Sequence, residues 1–385
     1  MREITPPFLV GRPARDPAIA ADPHGRVALT FVTRDSAGAD LWLALSTDSG
    51  ATFSPPERVN PRPGSVASYP EGRPLAAFGP AGQLVVAWAE RREGQGGVDL
   101  FVRASADGGR TLESPVPVND DVDDGRPDYH GFPALAFLTE GAVIAAWLDE
   151  REAPKVGGEA TYSALFSAIS RDGGQSWSDN RKIADLVCPC CRPMLCADSA
   201  GNVAVAFRTA DENLRDPMLA VSRNRGVTFA QPALISDDRW KLAGCPDVGP
   251  AITAAPGGGG HYAWYTGVEP AGVYLVPWRD GLGPSGVKRA VGDGLLDATR
   301  PRLAAFGPAT LLAVEGRPLG DTTRTVLAVR LLEPDGMLTP WTHLGADVAA
   351  GWIAAAGPRA AYASWAEREG DETRMRIVRI QRRSR

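Results

Sequence analysis

The sequence predicts an all-β fold, a single seven-bladed β-propeller whose last blade is closed by a segment from the N-terminus. Two periodic signals support this prediction: a turn motif that recurs along the chain, and a short apolar strand, opening with proline, that recurs between its copies. Recurrence of this kind is typical of repeat architectures. The 385 residues include 43 glycines and 33 prolines, which interrupt short apolar runs and leave no long stretch of helical periodicity.

The turn motif has the pattern Ser-x-Asp-x-Gly-x-Thr/Ser followed by an aromatic residue or leucine, and its clearest copy runs from Ser170 to Trp177. The Asp side chain can accept hydrogen bonds from backbone amides inside the turn, the glycine tolerates a positive φ, and the closing aromatic residue can pack back under the sheet. Three further copies occupy residues 46–53, 105–112 and 222–229, the last with Asn224 in the Asp position.

These four copies resemble the Asp box, or BNR repeat, of the sialidase superfamily, a repeat that many other secreted propellers share. The resemblance extends over essentially the whole chain and implies a propeller fold. It does not imply sialidase activity, because Asp boxes are structural and usually lie on the face away from the active site. We therefore expect the functional residues on the opposite face.

The proline-initiated strands divide the chain into units. Each unit opens with such a strand and continues into a second strand that mostly ends in an aromatic residue and charges; a proline at the first position of a strand removes no ladder hydrogen bond. The opening prolines are Pro17, Pro74, Pro133, Pro193, Pro250 and Pro301, and residues 351–354 fit the same position without one. The predicted units are 13–60, 68–120, 129–186, 187–237, 240–296, 299–345 and 347–385, with residues 7–10 as the missing outer strand of the last. Six blades, as in sialidases, would result if the last unit were irregular.

Composition excludes several function classes. The net charge is −5 and the isoelectric point is about 5.6, so the chain lacks the basic surface that nucleic acids require. No run approaches the roughly 20 apolar residues that span a bilayer. The segment from Met1 to Pro7 lacks the apolar core of a signal peptide. We expect a monomer with a small-molecule or glycan ligand and no membrane insertion, either periplasmic or secreted with its signal removed, or cytoplasmic.

In a propeller, the first strand of each blade starts on the face where the second strand ends, and we call the channel opening on that face the upper mouth. Arg73, Arg192 and Arg300 directly precede the opening prolines of units two, four and six. Three guanidiniums at one mouth would clamp a carboxylate or phosphate. The resemblance to sialidases implies an arginine triad for the substrate carboxylate, although the first arginine of that family lies two residues before its proline. Alternatively, each arginine pairs with an acid of a neighbouring blade, such as Glu90 or Asp149.

The same resemblance implies a tyrosine nucleophile activated by a glutamate, together with an aspartic acid as the proton donor. Tyr265, Glu90 and Asp149 are our candidates for these three roles. None of them stands in a recognisable family motif. Other residues of the right type near the upper mouth are Tyr69, Glu71, Glu150, Asp16 and Asp128.

Cysteines mark a second candidate site. Cys188, Cys190 and Cys191 precede the opening strand of unit four, and Cys245 occupies the corresponding position of unit five. Because these positions are adjacent at the mouth, the four sulfurs can converge and bind copper or zinc. A disulfide, structural or redox-active, and inert buried thiols are the alternatives. Cys196, inside the strand, is expected in the core, and additional ligands near the cluster are Met194 and His130.

Two classes of function follow from these candidate sites. The first hypothesis is a sialidase-like glycoside hydrolase or glycan-binding propeller that holds an anionic ligand at the arginine-lined mouth. The second is a metal-binding or thiol-redox propeller centred on the Cys-Pro-Cys-Cys segment. A protein-interaction scaffold is a third possibility. Because a fold does not determine function, the choice depends on the geometry of the site.

Overall fold

The computed structural model is a seven-bladed β-propeller, and each blade is a four-stranded antiparallel sheet. It describes residues 1–9, 13–94, 96–122, 124–156, 159–255, 258–279, 282–370 and 372–382. The prediction of seven blades is confirmed and the alternative of six is wrong. Among the described residues, no helix has the length and apolar character needed to cross a bilayer.

The strands of each blade run in order from the central channel outwards. Blade 1 contains Arg15–Ala21, Val27–Asp35, Gly38–Ser46 and Glu57–Arg58, and blade 2 contains Leu75–Phe78, Leu84–Arg91, Val98–Ser105 and Val116–Pro117, with Val66–Ala67 beside its second strand. Blade 3 contains His130–Phe137, Val143–Asp149, Ser163–Ser170 and Arg181–Val187, and a small hairpin, Lys155–Val156 and Glu159–Ala160, leaves it. Blade 4 contains Met194–Ala197, Val203–Arg208, Pro217–Ser222 and Ala233–Leu234.

The remaining blades follow the same order. Blade 5 contains Ala251–Ala254, Gly260–Thr266, Gly272–Trp278 and Arg289–Ala290. Blade 6 contains Leu295–Phe306, Ala309–Pro318, Val326–Leu332 and Thr342–Leu344. Blade 7 contains Val348–Ala356, Ala360–Glu369, Glu372–Gln381 and Arg2–Ile4. Two 3-10 helices, Pro7–Leu9 and Asp211–Asn213, complete the regular structure of the described residues.

The N-terminus closes the ring, but through a different segment from the one expected. Arg2–Ile4 pairs antiparallel with the third strand of blade 7, so the predicted closing strand at residues 7–10 is wrong. Pro7–Leu9 is instead a 3-10 helix, in which the Leu9 amide donates to the carbonyl of Pro6 (3.0 Å). Proline has no amide to contribute to a strand ladder and a fixed φ that suits the first position of a helical turn. Val10 lies outside the described residues.

Tryptophans pack between neighbouring blades, as the sequence pattern predicts. Trp88 and Trp147, on the second strands of blades 2 and 3, are fully buried among aliphatic residues of the adjoining blades. The indole N–H of Trp88 donates to Glu90 (2.9 Å), and that of Trp147 donates to Asp149 (2.9 Å). A buried indole requires an acceptor. The charge that follows each of these tryptophans by two residues therefore serves the core.

The recurrent turns have a common hydrogen-bond pattern. Asp172 accepts from the hydroxyl of Ser170 (2.7 Å) and from the backbone amide of Ser176 (3.0 Å), while Gly174 has a φ of +104° and donates its amide to the Ser170 hydroxyl (2.7 Å). The turn of blade 1 lies beside the hairpin that joins the first two strands, because Ser49 donates to the carbonyl of Gly25 (2.8 Å). These turns thus lie on the face opposite the upper mouth.

The blades open in two different ways. In blades 1, 3 and 6 the residue before the opening proline has a positive φ, +49° at Asp16, +54° at Phe132 and +49° at Arg300, and the strand register shifts there. Proline lies inside a β-bulge in these strands, not at their first position, and bulges redirect side chains. In blades 2 and 4 the Arg-Pro pair precedes the strand.

Candidate functional site

Two of the predicted clamp arginines, Arg73 and Arg192, are buried at the centre of the propeller. The side chain of Arg73 is fully buried, and its Nη1 donates to the carbonyls of Pro17 in blade 1 (2.8 Å) and Ala350 in blade 7 (2.6 Å). Arg192 is equally buried and donates to the carbonyls of Pro133 in blade 3 (2.6 Å) and Arg73 at the start of blade 2 (2.8 Å). Each guanidinium thus connects its own blade to two others.

A third buried arginine, which was not among the predicted site residues, completes this central arginine cluster. The guanidinium carbons of Arg73, Arg192 and Arg302 lie 5.1, 5.3 and 5.1 Å from the ring centroid of Trp352. Arg302 also forms an ion pair with the buried carboxylate of Glu71. Burial opposes ionisation of Glu71, but the surrounding arginines, Arg302 foremost, lower its pKa below the usual value. Trp352 lies in the one unit that opens without a proline. This departure from the pattern was the only sequence feature that set the position of the cluster apart.

Arg300 has a different environment. It is 27% exposed and forms ion pairs with Asp247 (3.0 Å) and Glu315 (3.3 Å). The predicted clamp, with three guanidiniums facing one open cavity, is therefore wrong. The alternative of pairing with an acid of a neighbouring blade applies to Arg300, but its partners outside blade 6 are Asp247 and Glu71 (3.8 Å), and not Glu90 or Asp149. Glu315, its third partner, lies in its own blade.

The structure does not bring the three catalytic candidates together. Tyr265, Glu90 and Asp149 lie on blades 5, 2 and 3, and no contact found among the described residues joins them. Tyr265 packs edge-on against Trp240, with ring centroids 5.4 Å apart. Asp149 is fully buried; burial opposes its ionisation, but hydrogen bonds and charge from His130 (3.1 Å) and Arg151 lower its pKa to about 2. A carboxyl with so low a pKa cannot donate a proton near neutral pH.

The structure brings the sulfur atoms of the four predicted cysteines close together. The Sγ atom of Cys188 lies 2.9 Å from that of Cys191 and 3.7 Å from that of Cys190, and Cys190 and Cys191 are 4.0 Å apart at sulfur. Cys245 reaches them from the start of blade 5 and forms a disulfide with Cys190, with Cα atoms 6.3 Å apart. We call Cys188, Cys190, Cys191 and Cys245 the cysteine centre.

Backbone contacts fix the Cys-Pro-Cys-Cys segment at the end of the second strand of blade 4. The amide of Cys188 donates to the carbonyl of Arg208 (2.9 Å), and the amide of Cys191 donates back to the carbonyl of Cys188 (3.4 Å). The second contact closes a turn around Pro189, which places the sulfurs of residues 188 and 191 side by side.

Two further arginines hold the loop that carries Cys245. Arg215 donates to the carbonyl of Gly244 through Nε (3.2 Å) and Nη2 (3.0 Å), and Arg208 donates to the carbonyl of Val248 (3.0 Å). Asp247, in the same loop, is the partner of Arg300 described above. Sequence patterns gave no signal for these residues, because each belongs to a different loop or strand end and none forms a local motif.

The two buried thiols of the cysteine centre differ in pKa. The hydrogen bond with Cys191 is the main cause that lowers the pKa of Cys188 to about 7, against burial and with help from the charges of Arg208 and Arg215. Burial raises the pKa of Cys191 well above its usual value. Cys188 is therefore the more acidic of the two buried thiols.

Exposure differs across the centre. Cys188 and Cys191 are buried, Cys190 is half-buried and Cys245 is exposed. Cys196 lies apart in the opening strand of blade 4, where burial raises the pKa of its thiol to about 12. No contact described in the structure connects Met194 or His130 to these sulfurs, and His130 is enclosed by Asp149 and Asp121.

Comparison with known proteins identifies the fold class. No family model and no curated protein matches the sequence. Solved structures do: an ulvan lyase bound to its oligosaccharide (11% identity, 97% of this chain and 95% of that one, TM-score 0.57) and the α-L-arabinanase of Penicillium chrysogenum complexed with arabinobiose (14%, 99% and 98%, TM-score 0.54). The leech intramolecular trans-sialidase is also similar (10%, 92% and 83%, TM-score 0.51). The chain therefore has a propeller fold like that of sialidases and arabinan-degrading enzymes.

Proposed function

We propose that this protein binds a soft metal ion, Zn(II) or Cu(I), through the four thiolates of the cysteine centre in its reduced form. The mutual distances of the sulfurs carry the proposal. Tetrahedral thiolate ligands at about 2.3 Å from zinc lie roughly 3.8 Å from one another. The separations of Cys190 from Cys188 and Cys191, 3.7 and 4.0 Å, match that spacing, and Cys245 is in contact with the same group. Cys188 and Cys191, 2.9 Å apart at sulfur, would have to move apart to bind the same ion.

The surroundings favour a thiolate-bound cation. Soft sulfur ligands select zinc and Cu(I) over the hard ions that carboxylates bind. Four thiolates around Zn(II) leave an excess of negative charge, which the charges of Arg208 and Arg215 offset, since both also lower the pKa of Cys188. The ordered turn at residues 188–191 and the restrained loop at 244–248 hold the ligands before the metal arrives, which reduces the ordering that binding requires.

Metal analysis of the full chain tests the proposal. Protein reduced and handled without oxygen should take up one equivalent of zinc or Cu(I) and retain it through gel filtration. Cys191→Ser should lose most of this binding, whereas Cys196→Ser, which removes the one cysteine outside the centre, should bind like the wild type. Substoichiometric metal in fully reduced, folded wild-type protein would contradict the proposal.

Carbohydrate binding is a second candidate function, favoured by the fold. The similar structures named above include enzymes that act on arabinan, ulvan and sialosides, and they align with nearly the whole chain. The central arginine cluster is buried, so a sugar ligand would have to contact other residues of the mouth, such as the exposed Tyr69. Calorimetric titration with arabinobiose and with sialyllactose, using metal-free protein, tests this candidate; no heat of binding with either sugar would count against it.

A further inference from the structure

The cysteine centre contains a feature that metal binding alone does not explain. Two of its four sulfurs, those of Cys190 and Cys245, are joined in a disulfide, and the other two remain thiols. A disulfide sulfur is a poor ligand, because metals are bound by thiolates. The structure thus shows a form of the centre in which only half of the ligand set is available.

We infer that the cysteine centre exchanges its disulfide with an external dithiol reductant, and that this reduction opens the metal site. The inference rests on the proposed function for its second half, whereas the exchange reaction stands on the geometry of the disulfide. The reductant is defined by its chemistry: a small dithiol, or a protein with an exposed pair of redox-active cysteines, that approaches the upper mouth.

Residue exposure favours Cys245 as the side of the disulfide that is attacked. Cys245 is exposed on its loop, Cys190 is half-buried, and Cys188 and Cys191 are buried. A thiolate of the reductant can therefore reach Cys245 and form a mixed disulfide there. The bond between Cys190 and Cys245 breaks, and its electron pair leaves with the sulfur of Cys190, which becomes a thiolate and then takes a proton from solvent.

The interior of the centre favours this direction of cleavage. The departing Cys190 sulfur lies 3.7 Å from the sulfur of Cys188 and 4.0 Å from that of Cys191, so the neighbouring thiols can stabilise its developing charge. The second thiol of the reductant then attacks its own sulfur in the mixed disulfide and releases Cys245 as a thiol. Two electrons and two protons have moved from the dithiol to the protein, and the reductant leaves as a disulfide.

The geometry of the 244–248 loop allows the sulfur of Cys245 to form the disulfide in the oxidised state and to bind the metal in the reduced state. The carbonyl of Gly244, next to Cys245, accepts two hydrogen bonds from Arg215, and Asp247 pairs with Arg300. Neither contact involves the disulfide itself. The loop therefore remains against blade 4 after the bond is broken, and Cys245 stays within reach of a metal held by the other three thiolates.

The test uses the full chain in two redox states. Alkylation after denaturation should find three reactive thiols in air-purified protein and five after mild treatment with dithiothreitol. Zinc affinity, measured by competition with a chromophoric chelator, should rise by about 100-fold or more on reduction, because two ligands are restored. If oxidised protein binds zinc as tightly as reduced protein, the inference that reduction opens the metal site is wrong. Five free thiols in air-purified protein would overturn the exchange.

A variant separates this inference from the proposed function. Cys245→Ser cannot form the disulfide between residues 190 and 245. When alkylation finds all four of its remaining thiols free, its zinc affinity should be the same with and without reductant and should exceed that of the oxidised wild type. Cys196→Ser is the matched control and should keep the full redox dependence. If the reduced wild type gains two thiols but binds neither zinc nor Cu(I), the proposed function fails while the exchange reaction stands. Thermal unfolding curves check that both variants are folded.

Discussion

Arg192 donates a hydrogen bond from its buried guanidinium to the carbonyl oxygen of Arg73, 2.8 Å away, across the centre of the propeller. The arginine that follows the cysteine turn of blade 4 is thereby fixed to the opening of blade 2. Burial, together with the nearby charge of Arg73, lowers the pKa of Arg192 to about 9, so its guanidinium is still protonated at neutral pH. This contact makes the central arginine cluster a structural element of the ring.

Replacing Arg192 should destabilise the protein severely. Arg192→Met leaves three carbonyl acceptors, those of Glu71, Pro133 and Arg73, without their donor. Breaking a buried charged network of this kind costs about 3–5 kcal/mol of unfolding free energy. Chemical denaturation measures the loss, and the exposed Arg181→Met is the control, expected within about 0.5 kcal/mol of the wild type. Wild-type stability of Arg192→Met would contradict the structural role of the central arginine cluster.

The recurrent turns offer a graded stability test. Asp172→Ala removes the acceptor of the Ser170 hydroxyl and of the Ser176 amide, and should lower the free energy of unfolding by about 1–2 kcal/mol. Asp172→Asn should retain much of the stability, because Asn224 already makes the equivalent contacts in blade 4, accepting from the Thr228 amide at 2.9 Å. Equal losses in the two variants would show that the charge, and not the hydrogen-bond pattern, stabilises the turn.

The sequence predicted those parts of the molecule that repeat. The opening strands, the interblade tryptophans and the turns recur in every unit or in several, so each copy supports the others. The adjacency of successive blade openings was also enough to group Cys245 with the cysteines at 188–191. The closing strand was placed at residues 7–10, but Pro7 has no amide for a strand ladder and its fixed φ suits the 3-10 helix found there, while Arg2–Ile4 pairs with blade 7.

The central arginines show why site chemistry was harder to predict. An Arg-Pro pair at a blade opening has the same sequence whether its guanidinium faces a ligand or donates to carbonyls of other blades. Only the three-dimensional convergence on Trp352, contributed by a blade far away in sequence, distinguishes these cases. Arg208 and Arg215 gave no sequence signal, since their contacts with the 244–248 loop are long-range and involve backbone carbonyls.

His261 should make the stability depend on pH. Burial and the charge of Arg289 lower the pKa of this histidine to about 4 in the folded protein, compared with about 6.5 in an unfolded chain. As the pH falls from 6.5 to 4, the unfolded state takes up the proton first, so the free energy of unfolding decreases over that window, by about 1–3 kcal/mol from this group. Above pH 6.5 the contribution is complete and constant.

The variant His261→Asn isolates this effect, because asparagine can still meet the hydroxyl of Thr310, 2.9 Å from the imidazole Nδ1, but does not titrate. The difference in unfolding free energy between wild type and variant should be constant above pH 6.5 and should shift in favour of the variant as the pH falls to 4. Denaturation curves at half-unit intervals of pH measure it. Parallel curves throughout would exclude the assignment.

A substitution at Gly249 should affect both the stability of the protein and zinc binding at the cysteine centre. A Cβ atom at this position would lie 2.2 Å from the carbonyl oxygen of Arg192, so alanine cannot be accommodated unless the start of blade 5 moves away from blade 4. Gly249→Ala should therefore lower stability by roughly 1–3 kcal/mol, the usual cost of overpacking. It should also weaken zinc binding by the reduced protein, since Cys245 and its loop shift with the strand opening. Gly320→Ala, at a position where no heavy atom lies within 4 Å of the added Cβ, should change neither quantity. Zinc competition and chemical denaturation are measured on both variants, so that a local steric effect is distinguished from a general loss of structure. If Gly249→Ala is destabilised but binds zinc with undiminished affinity, the position of Cys245 does not depend on this contact.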